Sequence, residues 1–302
     1  MLGWFPGHMN KARRQIKEAL PEIDVVIEVL DARLPYSSAN PMLAELTVHK
    51  PVLKILSRAD LADPARTREW TDYFDAQPDT RALAITTTQT RELKPIAKLC
   101  TELAGHIRED RDVRVMVMGI PNVGKSTLIN GLAGRKIAKV GNEPAVTKRQ
   151  QKIRIGNRIA LTDTPGVLWP KIEDQDSAFR LAASGAIRDT ALDYVEVGTV
   201  TAGELLKRYP EALKARYKLK DAELESGDAV VAAIARRRGG LKGGGELDLH
   251  RGAEVLLHEL RHGTLGRLTL EGPEDIRSLE ELRAEREAAK AAEQGDAAQK
   301  RD

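Results

Sequence analysis

The chain of 302 residues is long enough for one large domain or two ordinary ones, and 41% hydrophobic against 31% charged residues is the balance of a soluble globular protein. Its 48 basic and 45 acidic residues nearly cancel to +3, so the distribution of charge says more about partners than its sum. No run approaches ~18 uninterrupted apolar residues, which argues against a membrane span; the start MLGWFPGHMNKARRQ lacks the marks of a secretory signal, and a single cysteine, Cys100, suits a reducing compartment, by default the cytoplasm.

Residues 10–20 carry helical spacing. DVVIEVLDAR at 24–33 is a short apolar run rich in β-branched residues, the pattern of a buried parallel strand; KPVLKILSRAD at 50–60 and TRALAIT at 80–86 repeat it. Between them, 39–49 and 64–77 read as helices, the second with a proline near its first turn, and 91–110 reads as another. DVRVMVMG at 112–119 is a strand that runs into MGIPNVGKST at 118–127, and a helix follows from Lys125. KIRIG at 152–156 and RIALTDTPG at 158–166 form a hairpin. Strands alternating with helices predict a mainly parallel α/β sheet. Beyond about 175 the segments 176–190, 201–217, 228–238 and 250–262 read as helices, with a break at GGLKGGG, 239–245. The expected organisation is an α/β domain over 1–175, a helical domain over 176–278, and a charged, disordered tail over 279–302.

Gly119, Gly124, Lys125 and Ser126 match G-x-x-x-x-G-K-[ST], and a strand before and a helix after supply the context that motif needs. Residues without bulk let backbone N–H groups from Asn122 to Thr127, Val123 among them, converge on phosphate oxygens at a helix N-terminus. Lys125 should reach the β- and γ-phosphates and Ser126 should give Mg²⁺ an oxygen. Asp163, opening DTPG at a strand end, can hold a water of the same ion, and Gly166 can offer its N–H to the γ-phosphate. Thr147 is a further candidate for the ion. Guanine is selected over adenine by an aspartate in an [NT]-K-x-D sequence, which accepts both N1–H and N2–H₂. Nothing of that kind follows the glycine loop. Before it, Ser57, Arg58, Ala59 and Asp60 end a strand, and Thr86 and Thr87, ending the next, take the place of the usual support for the base.

The order is therefore base recognition, phosphate loop, switch threonine, DTPG: a P-loop GTPase fold circularly permuted, with a C-terminal helical domain. With WFPGHMNKA at 4–12, DARLPYSSANP at 31–41 and LAASGAIRDT at 181–190, nearly the whole chain resembles the circularly permuted GTPases of ribosome assembly, most closely the ribosome biogenesis GTPase A family of the RbgA/YlqF type. That resemblance implies hydrolysis of GTP to GDP on a large (50S) ribosomal subunit precursor during late maturation, with no membrane insertion and a monomer off the ribosome. It also implies that His8 replaces the water-orienting glutamine of other GTPases, since Val167 follows DTPG and offers water no hydrogen bond. Asn122 is placed like the asparagine of potassium-activated GTPases, which implies K⁺ as an activator.

Departures are expected to have consequences. Ser57 is too short for the contacts that an asparagine makes to guanine N7 and to the phosphate loop, whereas Arg58 can still lie along the base; selectivity should survive through Asp60 with looser binding. Ala145 replaces the glycine common before the switch threonine. Basic clusters at 11–14, 148–154 and 236–242 suit a polyanion, and Arg236, Arg237, Arg238 and Lys242 are the candidates for rRNA contact. HELRH at 258–262 matches a zinc-protease motif, but no suitable third ligand follows, so it reads as a helix face. Two alternatives stay open: an rRNA-binding scaffold with a vestigial nucleotide site, and a P-loop ATPase or kinase. Because the loop after Asp163 leads straight into the helical domain, GTP is expected to order 164–175 and reposition 176–278.

Overall fold

The computed structural model describes residues 7–137, 152–169, 172, 174–187, 193–240, 246–276 and 281, with side chains from Ala12 onward. The 24–33 run forms β1 (Val25–Asp31), 50–60 forms β2 (Val52–Ser57), 80–86 forms β3 (Thr80–Ala84) and 112–119 forms β4 (Val113–Gly119). The hairpin is β5 (Lys152–Ile155) and β6 (Ile159–Asp163). They make one six-stranded sheet in the order β3-β2-β1-β4-β6-β5, parallel except for the edge strand β5. Every residue of β1 is buried, as a central strand covered on both faces requires.

The register fixes where a ligand can sit. Asp31 pairs with Ser57, Val29 with Gly119, and Val117 with Asp163, so the carboxyl ends of β1, β2, β4 and β6 share one edge. From β1 the chain moves outward through β2 to β3, and from β4 it moves the other way. The crevice between β1 and β4 is the topological switch point, where open α/β sheets bind ligands.

Helices α1 (Gly7–Ala19), α2 (Pro35–Ser38), α3 (Pro41–Thr47), α4 (Pro64–Asp75), α5 (Thr90–Leu103) and α6 (Lys125–Ala133) belong to this part. Helix α4 begins with the predicted proline, and Asp63 caps it by accepting from the N–H groups of Ala65 and Arg66. Helix α5 stops at Leu103, seven residues before the predicted end, where Ala104 and Gly105 turn back onto the Cys100 and Glu102 carbonyls. The short α2 was not expected: four residues carry too little periodicity to read.

A helical region follows: α7 (Gln175–Ser184), α8 (Tyr194–Arg208), α9 (Pro210–Tyr217), α10 (Gly227–Arg237) and α11 (Leu249–Arg261). The predicted helix at 201–217 is two helices, because Pro210 has no N–H and its ring blocks the preceding turn, so it opens α9 instead. Helix α8 starts earlier than predicted, at an Asp193 cap that accepts from the Val195 and Glu196 N–H groups. One buried cluster runs from Val29, Ile55 and Val115 in the sheet to Leu181, Leu205, Ile234 and Leu256 in the helices. The chain then returns: the N–H of Leu268 donates to Leu61 O, the N–H of Leu270 to Arg33 O, and the indole of buried Trp70 to Glu271 O.

Candidate nucleotide site

On the phosphate side, Gly119 has a φ of +150°, and a Cβ there would stand 2.5 Å from Val29 O on the neighbouring strand. Gly124, at φ +99°, opens α6 without any side-chain cap, so the first N–H groups of that helix point into the crevice, the arrangement that binds phosphate. Lys125 is buried and its Nζ donates to Ile120 O at 2.7 Å. Burial pushes its ammonium down to about 8, against the opposing pull of Asp163. Gly166 faces it: a Cβ there would lie 2.9 Å from Lys125 Nζ and 3.0 Å from Pro121 Cα. The glycine of DTPG is thus a matter of room. Asp163 is buried at the end of β6 and Ser126 lies in the first turn of α6, an oxygen-only pair suited to a hard cation. Among the described residues no group of three His, Cys, Asp or Glu could hold a metal alone. A Mg²⁺ ion here would complete its shell from phosphate oxygens and water, as that ion prefers.

The base side closes directly on this loop. Ser57 is fully buried, and its Oγ lies 2.8 Å from Leu30 O and 2.7 Å from Val123 O, with one proton to share. The expectation that serine is too short to touch the phosphate loop is therefore corrected. A Cβ on Gly124 would lie 3.8 Å from the Ser57 side chain, so the loop comes to the serine through Val123 O. Arg58, at φ +57°, does not extend into the crevice; its guanidinium donates to Asn122 O at 2.6 Å and to Asp31 Oδ2 at 3.2 Å. Asp60 is exposed at the mouth. The N–H of Ala59 donates to Ile85 O, joining this loop to the end of β3, where the N–H of Thr86 is taken up by Glu92. The methyl of Thr87 would lie 3.8 Å from a Cβ on Gly124.

The stretch after β1 supplies residues that sequence reasoning used only as a family mark. Asp31 receives the Arg33 guanidinium at 2.7 and 2.9 Å, as well as Arg58. Burial alone would raise this carboxyl, but Arg33 and then Arg58 outweigh it and hold it at about 2. Asn40 caps α3 by accepting from Met42 and donates through Nδ2 to Val167 O at 2.7 Å. Val167 is fully buried and its N–H donates to Gly119 O, so its side chain packs inward, away from any attacking water. The available signal was five polar residues, Asp31, Arg33, Ser37, Ser38 and Asn40, crowded after a central strand; all are buried.

Comparison with known proteins matches this geometry. A sequence profile described as "50S ribosome-binding GTPase" matches residues 114–221, beginning on the strand that leads into the glycine loop and leaving Ser57–Asp60 outside. The ribosome biogenesis GTPase A of Bacillus cereus is 45% identical over 298 residues, covering 93% of this chain and all of its own length. That of Priestia megaterium is 45% identical, covering 90% of this chain and 97% of its own. The chain belongs to the ribosome biogenesis GTPase A family. It is a GTPase of the permuted P-loop fold. The crystal structure of GNP-bound YlqF from T. maritima superposes with a TM-score of 0.62 at 28% identity, covering 88% of this chain and 100% of that one.

The other residues proposed for this family member stand as follows. Asn122 has φ +58° and donates through Nδ2 to Gly185 O at 3.1 Å, so the phosphate loop touches the end of α7. The side chain of His8, in the first turn of α1, lies outside the described residues, as do Thr147, Ala145 and Lys242. The three arginines at the end of α10 do not act alike. Arg236 is exposed; Arg237 makes a two-pronged pair with Glu223 at 2.6 and 2.9 Å; Arg238 lies over the Tyr217 ring and 3.7 Å from Glu259. In HELRH the glutamate, Glu259, turns to Arg216, while the rings of His258 and His262 stack 4.1 Å apart. No helix among the described residues is long and apolar enough to cross a membrane.

Proposed function

We propose that this GTPase binds a precursor of the large ribosomal subunit and uses GTP hydrolysis to complete or leave a late maturation step in the cytoplasm. The observation that carries the nucleotide part is the direct contact of two segments distant in sequence, Ser57 Oγ with Val123 O and Arg58 with Asn122 O. A guanine at Asp60 and phosphates over Asn122–Thr127 are then within reach of one ligand. The ribosomal part rests on the names of the relatives. In this reading Lys125 and the N–H groups of Val123, Gly124 and Gly166 neutralise the phosphates, while Thr86 and Thr87 border the base. Mg²⁺ would be held by Ser126 and Thr147 directly and by Asp163 through water, and it would offset charge developing on the β- and γ-phosphate oxygens.

With Val167 packed inward, His8 is the group that orients the attacking water. Asn122 would assist a K⁺ ion near the β–γ bridge. Ordering of 164–175 by GTP would be passed to the helices through Asn40, which holds Val167, and through the contact of Asn122 with Gly185. Arg236 and Lys242 make the rRNA contact, joined by Arg237 and Arg238 if their acidic partners are displaced. The protein is read as a monomer off the ribosome.

The test is sedimentation with large-subunit precursors in GDP, a GTP analogue and no nucleotide, together with hydrolysis with and without those particles. Co-sedimentation that depends on the nucleotide and hydrolysis accelerated by particles support the reading; indifference to both defeats it. His8→Ala should lower hydrolysis by about 10²-fold or more with GTP affinity unchanged within twofold.

A further inference from the structure

The loop that carries Asp60 is gripped from outside by a segment about two hundred residues downstream. After α11 the chain turns at Gly263, where a Cβ would come within 2.6 Å of Leu61 Cδ2. Arg267 then donates through Nη2 to Ala59 O and through Nε to Ala62 O, both at 3.0 Å. The N–H of Leu268 donates to Leu61 O at 3.0 Å, and Thr269 Oγ1 accepts from the N–H of Asp63 at 3.1 Å. Tyr209 completes the clasp: its hydroxyl donates to Asp63 Oδ2 and accepts from the N–H of Thr269. On the opposite side Arg33 reaches the Leu260 and Arg261 carbonyls at the end of α11, and the Asp31 carboxylate that holds it also holds Arg58.

Every other residue of the loop is thus tied by backbone or side-chain hydrogen bonds, while the exposed Asp60 carboxylate bears on the Arg33 and Arg58 guanidiniums through its charge. The Ala59 carbonyl lies in the same rigid peptide plane as the Asp60 N–H, so Arg267 sets the plane from which the Asp60 side chain departs. A carboxylate that must accept two hydrogen bonds from one purine edge tolerates an error of only about 0.5 Å.

We propose that Arg267 is a positioning residue for guanine recognition, acting on Asp60 through the Ala59 and Ala62 carbonyls, and that the helical region controls through it how firmly the purine is held. The inference rests on the reading of Ser57–Asp60 as the base site. Coupling of this kind is reciprocal: a partner that shifts 263–269 alters nucleotide affinity, and a bound purine stiffens the surface presented to that partner.

The experiment compares GDP, inosine diphosphate and ADP as competitors of a fluorescent GDP on the full chain, in wild type, Arg267→Ala and Arg267→Lys. Inosine lacks the 2-amino group, so the GDP-to-inosine ratio reads the placement of the Asp60 carboxylate alone. Wild type should prefer GDP to inosine diphosphate by about tenfold or more, as expected for a bond to a charged acceptor. Arg267→Ala should bring that ratio to about threefold or less, with a melting temperature lowered by only about two degrees, since Arg267 is exposed. Arg267→Lys, which keeps the charge but not the fork, should fall between. An unchanged ratio, even with both affinities lowered equally, would reduce Arg267 to a structural contact and overturn the proposal. A wild-type protein indifferent to all three nucleotides would overturn the base-site reading itself, and this inference with it.

Discussion

Lys125 waits in the phosphate site at a cost. Burial lowers its ammonium to about 8 from an ordinary 10.5, a difference on the order of 3 kcal/mol that phosphate oxygens would recover. The sign follows from proton counting. Between pH 8 and 10.5 the ligand-free folded chain binds fewer protons at Lys125 than the unfolded chain, so this residue's destabilising effect is full below 8 and fades as pH rises through that window. A bound nucleotide restores the charged form. Affinity for GDP should therefore be flat from pH 7 to near 8 and then fall, approaching tenfold per unit, as titration with a fluorescent GDP would measure; affinity level to pH 9 would contradict a depressed Lys125. Residues like this one were legible because short-range spacing encodes them: a lysine one step after a glycine that must adopt φ +99°, and Gly166 three after Asp163. Asp31, Arg33 and Arg267 were not, because Asp31 takes its meaning from the Arg58 guanidinium, and Arg33 and Arg267 theirs from distant carbonyls, that only the folded chain brings near. Ser57 was misjudged for the same reason; side-chain length was weighed, but the approach of the Val123 carbonyl could not be.

At the scale of elements, the helical region is built on close backbone contact. A Cβ on Gly198 of α8 would lie 2.5 Å from that of Ala253 on α11, and one on Gly252 would lie 2.4 Å from Val231 O on α10. Three helices meet there through backbone and the methyls of Ala253 and Ala235. Gly252→Ala should overpack that contact by about 1–3 kcal/mol and lower the melting temperature by several degrees in a calorimetric scan, with GDP affinity unchanged. A stable variant would mean that α10 and α11 separate at little cost. The strands were easy to read because β-branched runs ending in polar residues have few other uses. The helices were harder: the bulky VEVGTVT of α8 hid its first turns, and the proline that divides α8 from α9 was passed over because apolar spacing continues across it.

Across the whole molecule, the packing does not pause at residue 175. The same buried cluster holds sheet and helices together, and Trp70 on α4 is closed in by the returning segment at Glu271. We therefore expect one cooperative thermal transition for the full chain, and two separated transitions would show that the helices form an independent unit. Removing the last layer should be felt at the far side: Trp70→Ala would vacate a fully buried site, with a loss of about 3–5 kcal/mol, measurable by denaturant titration.

The order of the strands also has a temporal side. β1 lies in the middle of the sheet, yet the ribosome makes it first, and its inner neighbour β4 begins roughly eighty residues later. At about 5–20 residues per second, a mostly apolar ribbon, VVIEVLD, must wait several seconds with one flank unpaired. Until then β2 and β3, the helices α2 to α5 that emerge with them, and α1, synthesised just ahead, are what can shield it. A nascent chain of this topology has every reason to be an early client of whatever guards the exit tunnel, and a slowed stretch of codons just before Val113 should cost it more yield than the same pause placed anywhere after β6.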